Sequence, residues 1–307
     1  HYFTLAANQN HSEAQFKLGL IYFYNRYYAN NGNKAIHYLT LAANQNHSEA
    51  QCILSILYVE GIYVKRDVDK AIQYLTLAAN QNHSEAQCTL GILYIDSKFV
   101  KSDVNKAIHY LTLAANQNLS EAQCKLGIIY YEGIHIVRDV NLAIHYLSLA
   151  ANQNHPEAQY KLGIIYYEDK YLVHDVNQAI HFLSLAANQN HPKAQYKLGL
   201  IYYEGKYVNI NKAIHYFTLS ANNNNAKALM YLFIIYTEGK HISRNVNKTN
   251  HYLALAANQN FSEAQLCLGF KYYYGFGISR DIKKGVYYII LASTNENRMA
   301  NYVHAFL

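Results

Sequence analysis

The stretch Leu41-Ala42-Ala43-Asn44-Gln45-Asn46-His47-Ser48-Glu49-Ala50-Gln51 decides the fold, because the chain keeps returning to it. The same phrase begins at Leu5 and Leu77. Versions altered at one or two positions begin at Leu113, Leu149, Leu185 and Leu255, and looser ones at Leu219 and Leu291. The step is 36 residues everywhere except from Leu185 to Leu219, where it is 34. A period in this range marks units that cannot bury their apolar faces alone and stack on their neighbours instead. The architecture read from it is a solenoid. An array of this kind grows lengthwise, so residues 1–307 are expected to form a single repeat array with no linker.

The repeat from Ser120 to Asn154 shows how one unit is built. Ser120-Glu121-Ala122-Gln123 has the form of a capping box, with Ser120 as N-cap and Gln123 reaching back. Ala122, Leu126, Ile129 and Tyr130 then keep helical spacing in a first helix, A. Gly127, without a side chain, lets a neighbouring helix come close. Glu132-Gly133 ends helix A, with glycine in the left-handed cap position. Ile136 anchors a short loop, and Asp139 is the N-cap of a second helix, B. Ala143, Tyr146, Ala150 and Ala151 are read as its inward face, and Asn152-Gln153-Asn154 as its end. Each unit is therefore two short antiparallel helices.

The copies support one another. The helix A tyrosine recurs at Tyr22, Tyr58, Tyr94, Tyr130, Tyr166, Tyr202, Tyr236 and Tyr272. The helix B cap recurs at Asn31, Asp67, Asp103, Asp139, Asp175, Asn209, Asn245 and Asp281. Helix A is expected to start near residues 12, 48, 84, 120, 156, 192, 226 and 262, with a partial helix B before the first pair and a partial helix A after Met299. The shortened step loses its two residues between Gly205 and Asn209, in a loop that absorbs such a change.

Composition narrows the class. Apolar residues make up 51% of the chain, enough for a continuous core, and only Pro156 and Pro192 interrupt it. No stretch approaches the ~20 apolar residues that cross a bilayer. The net charge of +6 is spread along the chain, which reads as a solvated surface rather than a nucleic-acid stripe. Cys52, Cys88 and Cys124 share one repeat position, and equivalent helices stand ~10 Å apart, beyond disulfide reach. With Cys267 also unmated, the cysteines act as small apolar residues and suit a reducing, cytoplasmic setting. The sequence opens at His1, inside a helix-like phrase and without an initiator Met, so a piece of a longer protein is expected.

The residues Ala122, Leu126, Gly127, Tyr130, Gly133, Ile136, Asp139, Ala143, Tyr146, Ala150 and Ala151 resemble the pattern of the Sel-one-like repeat (SLR) family, relatives of the tetratricopeptide repeat. The likeness covers nearly the whole chain. Ser55 and Phe233 depart from the packing glycine, and Asn25, Ser97 and Asp169 from the turn glycine. The resemblance implies an all-α, right-handed α-solenoid whose helix A residues line the concave face. It also implies adaptor or scaffold duty toward a protein or peptide partner.

Tetratricopeptide relatives bind peptides along an exposed helix A stripe. Carried onto this chain, the stripe holds Glu121, Cys124, Ile128, Tyr131 and Glu132, then Glu157, Tyr160, Ile164, Tyr167 and Glu168, then Lys193, Tyr196, Leu200, Tyr203 and Glu204. The expected partner-binding set is Tyr131, Glu132, Tyr160, Tyr167, Glu168, Tyr196, Tyr203 and Glu204, an aromatic band edged by carboxylates. The alternative is that these tyrosines pack between repeats.

Other candidates are weaker. Histidines occupy two registers, His37, His109, His145, His181, His215 and His251 in helix B, and His11, His47, His83, His155 and His191 before helix A; both read as solvated surface rather than metal ligands. Asn-x-Ser/Thr at Asn10, Asn46, Asn82, Asn118, Asn247 and Asn260 reads as a by-product of an Asn cap preceding a Ser. No phosphate loop, nucleophile elbow or unique carboxylate pair is present, so no catalytic residue, cofactor or metal is assigned. The expectation is a non-enzymatic scaffold. The competing class is a regulatory or substrate-recruiting tail of an enzyme, such as a protein kinase, lying before His1.

Overall fold

A computed structural model of the chain describes residues 2–25, 31–96, 100–133, 136–169, 175–205, 208–240 and 242–295. It forms two compact units, residues 1–161 and 162–307. Among the described residues every regular element is an α-helix.

The first unit opens with α1 (Tyr2–Asn8), a partial helix B. The pairs α2 (Ser12–Tyr24) with α3 (Asn31–Asn44), α4 (Ser48–Glu60) with α5 (Val68–Asn80), α6 (Ser84–Asp96) with α7 (Val104–Asn116), and α8 (Ser120–Glu132) with α9 (Val140–Asn152) follow. The boundary between units falls within α10 (Pro156–Glu168). The second unit continues with α11 (Val176–Asn188), the pairs α12 (Pro192–Glu204) with α13 (Ile210–Asn222) and α14 (Ala226–Glu238) with α15 (Val246–Asn258), and α16 (Ser262–Tyr274) with α17 (Ile282–Thr294). The helix A starts agree with the sequence reading. The partial helix A expected after Met299 lies outside the described residues.

Helix B starts as its sequence dictates. Asp139 Oδ1 accepts from the Leu142 N–H at 2.9 Å, while its own N–H closes the hairpin on the Tyr130 carbonyl at 2.9 Å. The shortened repeat keeps both devices, with Asn209 bonded to Lys212 N and to the Tyr202 carbonyl. Asn31 departs from the pattern: it is already the first residue of α3, and its amide donates to the Asn25 carbonyl at 2.8 Å. At the other end, Asn154 carries φ 60° and the equivalent asparagines match it, so an Asn fills the left-handed turn after every helix B from α1 to α15.

Close approach within a pair rests on the glycine. A Cβ on Gly127 would stand 2.5 Å from Leu147 Cγ and 3.1 Å from the Ala143 carbonyl oxygen. Leu147 and Leu126 are fully buried, as are Leu111 and Leu90 one repeat earlier. Each such leucine contributes about 1.5–3 kcal/mol. This corrects the inward face read from sequence: Ala143, Ala150 and Ala151 are core, but Tyr146 is only half-buried and Leu147 is the large core residue. Tyr146 instead stacks flat on Tyr130, with ring centroids 5.9 Å apart. The same stack joins Tyr94 to Tyr110 and Tyr202 to Tyr216, and Lys106 and Lys212 place their ammonium groups over the outer rings at 5.2 and 4.9 Å.

Two further corrections concern the start of helix A. Ser120 is the first helical residue rather than the N-cap; that place belongs to Leu119, which offers no side-chain bond. In other repeats a histidine stands there and does cap, His155 Nδ1 accepting from the Ala158 N–H at 3.3 Å and His191 Nδ1 from Ala194 at 3.2 Å. These histidines are therefore structural and not merely solvated. Gln123 does not close a capping box either. It is buried, donates Nε2 to the Ala115 carbonyl at 3.2 Å, and accepts from Gln153 Nε2 at 2.8 Å.

Candidate functional site

Helix A presents its fifth, twelfth and thirteenth residues along one edge, and the candidate side chains occupy those places. In the first unit Tyr131 and Tyr160 are half-buried, and the Arg138 guanidinium lies 4.7 Å from the centre of the Tyr131 ring. In the second unit Tyr167, Tyr196 and Tyr203 are likewise half-buried, with the Lys197 ammonium 5.0 Å from the Tyr167 ring centre. Cys124, which shares the fifth position, is buried and offers no surface. Burial pushes its thiol up to about 12, as expected of an inert packing residue.

The carboxylates Glu132, Glu168 and Glu204 are exposed, and each is met by the next helix A. Lys161 Nζ lies 3.6 Å from Glu132 Oε1, Lys197 pairs with Glu168, and the Tyr231 hydroxyl donates to Glu204 Oε1 at 3.0 Å. The acidic edge expected from the sequence is thus largely neutralised by partners that the stripe did not include.

Within the second unit the arrangement tightens into an aromatic cluster. Tyr196 and Tyr203 stand 5.9 and 5.6 Å from Tyr231, which stacks at 4.9 Å on the fully buried Phe217. The Tyr203 hydroxyl donates to Glu238 Oε2 at 3.3 Å. Burial, with the nearby Glu204 adding to it, pushes the Tyr231 hydroxyl well above its ordinary value, so it remains a donor at every physiological pH. Sequence reasoning missed Tyr231, Phe217 and Glu238. Tyr231 replaces the lysine found at Lys125, Lys161 and Lys197, and that departure was the available signal.

Among the described residues no group of three or more His, Cys, Asp or Glu converges as a metal site, and no helix is long and apolar enough to cross a membrane. With the helix pairs and their shared edge in view, comparison with known proteins becomes informative. The Sel1 repeat family matches at residues 12–47, 48–83, 84–119, 120–155, 156–191, 192–225, 226–261 and 262–297.

The chain belongs to the Sel1 repeat family.

A Sel1 repeat protein from Oxalobacter formigenes superposes with a TM-score of 0.82 at 28% identity, over 98% of this chain and 88% of that one. A protective antigen of uropathogenic Escherichia coli strains, displaying an SLR fold, superposes with a TM-score of 0.84 at 23% identity. That match covers 99% of this chain and 66% of the antigen, so the chain spans less than the antigen's full length. No curated protein sequence matches the chain. The fold class is accordingly that of the α-solenoids with stacked helix pairs. Sel1 repeats generally mediate protein interactions, on a scaffold that is non-catalytic as a family.

Proposed function

We propose that the chain is a non-enzymatic adaptor that holds a peptide or protein segment along its helix A edges. Tyr131 and Tyr160 would contact the partner in the first unit, and Tyr167, Tyr196 and Tyr203 in the second. The single observation that supports this most is the half-burial of all five rings. Each is held by packing and keeps part of its surface exposed, the condition under which tyrosine gives contact area at small entropic cost. The pairing of Glu132, Glu168 and Glu204 directs the chemistry: with the carboxylates already engaged, the edge offers Lys–Glu and Tyr–Glu pairs, which suit a polar extended segment through exchangeable hydrogen bonds. The apolar, unpaired use of Cys52, Cys88 and Cys124 supports work in a reducing compartment such as the cytoplasm.

The test is selection of binders from a displayed random-peptide library on the full chain, followed by affinity measurement against the double variant Tyr167→Ala/Tyr203→Ala. Hot-spot aromatics predict a loss of about a hundredfold, with the circular dichroism of the variant unchanged. Selected peptides that bind the variant as tightly as the parent would remove these residues from the site.

A further inference from the structure

The seventh and eighth repeats break the pattern in four places, three of which line one cleft. Thr249 stands where six other repeats carry a buried alanine, among them Ala143 and Ala213, and Asn250 where they carry Ile or, in the last repeat, Val286. Lys271 replaces the apolar residue found at Ile21, Leu57, Leu93, Ile129, Ile165, Ile201 and Ile235. Thr237 replaces the large residue represented by Tyr131, Tyr203 and Tyr273. Between them lies a cleft of about 220 Å³, its apolar wall made by Tyr236, Val246 and Phe276 and its polar wall by Arg244, Thr249 and Lys271.

Part of this polarity ties down the loop. Lys271 Nζ donates to the Phe276 carbonyl at 2.8 Å, and Asn250 Nδ2 to the Gly277 carbonyl at 2.7 Å. Loop-tying leaves two facts unexplained. Thr249 lines the cleft and is 4% exposed, yet its hydroxyl, itself closed off from solvent, has no hydrogen-bond partner, a costly omission for a buried polar group. Arg244 is also anomalous. Its counterparts Arg66, Arg138 and Arg280 donate Nε to the carbonyls of Val59, Tyr131 and Tyr273 at 2.6, 2.8 and 3.1 Å. Among the described residues Arg244 makes no such bond, and without a ring at Thr237 to cover, its side chain lines the cleft. Lys271, for its part, spends one of three ammonium hydrogens on the loop.

We propose that this cleft binds an organic carboxylate carried on a short apolar or aromatic group, with Arg244 and Lys271 holding the anion and Tyr236, Val246 and Phe276 covering the hydrocarbon. Two cations lining one small space call for an anionic acceptor, and the aromatic wall selects against a bare inorganic ion. Burial holds the Lys271 ammonium below its ordinary value, a cost that a bound anion offsets. The site is separate from the tyrosine edge and stands or falls without it.

The probe is phenylacetate, titrated into the full chain by calorimetry beside its neutral analogue phenylacetamide. Saturable binding of phenylacetate, with the amide about tenfold weaker or worse, is the expected result, since hydrogen bonds to a charged group carry that much discrimination. Lys271→Leu restores the kind of residue that the other repeats carry and Arg244→Gln alters an exposed side chain, so both variants fold, as circular dichroism would verify. Each should weaken phenylacetate by about tenfold. A peptide ending in a free Phe carboxylate, compared with its C-terminal amide, separates the two sources of the group: a gain over phenylacetate assigns the cleft to peptide termini, and no gain assigns it to small acids. Absence of saturable binding, equal binding of acid and amide, or variants that bind like the parent would overturn the proposal.

Discussion

The side-chain amide of Gln153 donates to the side-chain oxygen of Gln123 at 2.8 Å, a bond between residues 30 apart in sequence that joins the two ends of one helix pair. Gln45 to Gln15, Gln81 to Gln51 and Gln117 to Gln87 repeat it, and Asn223 to Gln195 and Asn295 to Gln265 continue it with a shorter donor. Each acceptor glutamine also donates to a carbonyl at the end of the preceding helix B, as Gln123 does to Ala115. A polar ladder thus runs along the helix ends. It is interrupted in the seventh repeat, where Leu229 takes the acceptor's place and the side-chain oxygen of Gln259 is left without a partner.

Gln123→Ala should therefore lower stability by about 1–3 kcal/mol, because it strips a buried hydrogen-bonded group and leaves Gln153 without its acceptor. Urea unfolding of the full chain measures this. A loss of a few tenths would mean that the ladder follows helix packing and does not support it.

The histidine caps carry a pH signature. His155 accepts at Nδ1 from Ala158 and holds Glu121 Oε2 at Nε2, 3.0 Å away. That bond keeps the Glu121 carboxyl below its ordinary 4.5. A carboxylate lowered by folding stabilises the fold above its unfolded value, and the contribution is lost as pH falls through the folded one. His155→Ala should cost about 0.5–2 kcal/mol near neutrality, and the gap between its melting temperature and the parent's should narrow as the pH drops below 4.5, where the Glu121 contribution is lost. Leu119→His, supplying the cap that α8 lacks, should shift stability the other way.

Core and cap substitutions should separate clearly. Leu147 has no exposed surface, so Leu147→Ala is expected to cost about 2–5 kcal/mol. Asp139→Ala, which removes one cap, is expected to cost about 0.5–2 kcal/mol. Equal melting temperatures for the two would contradict the assignment of inside and cap.

One exposed position invites a stabilising change. Lysines at 34, 70, 106, 212, 248 and 284 sit over the helix A tyrosine of their own repeat, within 4.7–5.5 Å of the ring centre. In the fourth repeat Leu142 occupies that place, 38% exposed. Leu142→Lys should add a cation–π contact over Tyr130 and about 0.5–1 kcal/mol. A melting temperature at or below the parent's would show that the lysines serve solvation alone.

The buried thiols should be inert. Desolvation pushes Cys52 up to about 11 and Cys88 and Cys124 up to about 12. At pH 8 almost no thiolate exists to attack a reagent. Mass spectrometry after brief iodoacetamide treatment should find these three unmodified in the folded chain and all modified in guanidinium. Rapid labelling of the folded chain at Cys124 would place it on the surface.

The local devices of this chain were legible in its residues because they act over a few positions. Asp139 before helix B, Asn154 after it and Gly127 opposite Leu147 each answer a backbone or steric demand that most of the eight repeats restate. Contacts across repeats were harder to read, since the same letters serve two readings. Ser120-x-x-Gln123 looks like a capping box, and only the stacking on the preceding pair shows the glutamine spanning repeats to the Ala115 carbonyl, while in other repeats a histidine before helix A does the capping. The stripe of Tyr131, Tyr160, Tyr167, Tyr196 and Tyr203 was implied by the tetratricopeptide resemblance, but the partners engaging its carboxylate edge were not. Lys161, Lys197 and Tyr231 lie about 30 residues from the carboxylates they meet, and a one-dimensional pattern does not say which long side chains converge.

The sequence by itself determined the order of the described helices, the Asp and Asn caps of helix B and the spacing of the apolar faces, because a helix reads its own neighbours three and four residues away. The tertiary structure alone decided that leucine rather than tyrosine fills the core, that Gln123 belongs to a ladder, and that Thr249, Arg244 and Lys271 border one cleft. Those outcomes depend on which side chain loses its water when helix pairs stack, and desolvation is settled by three-dimensional packing, not by position along the chain.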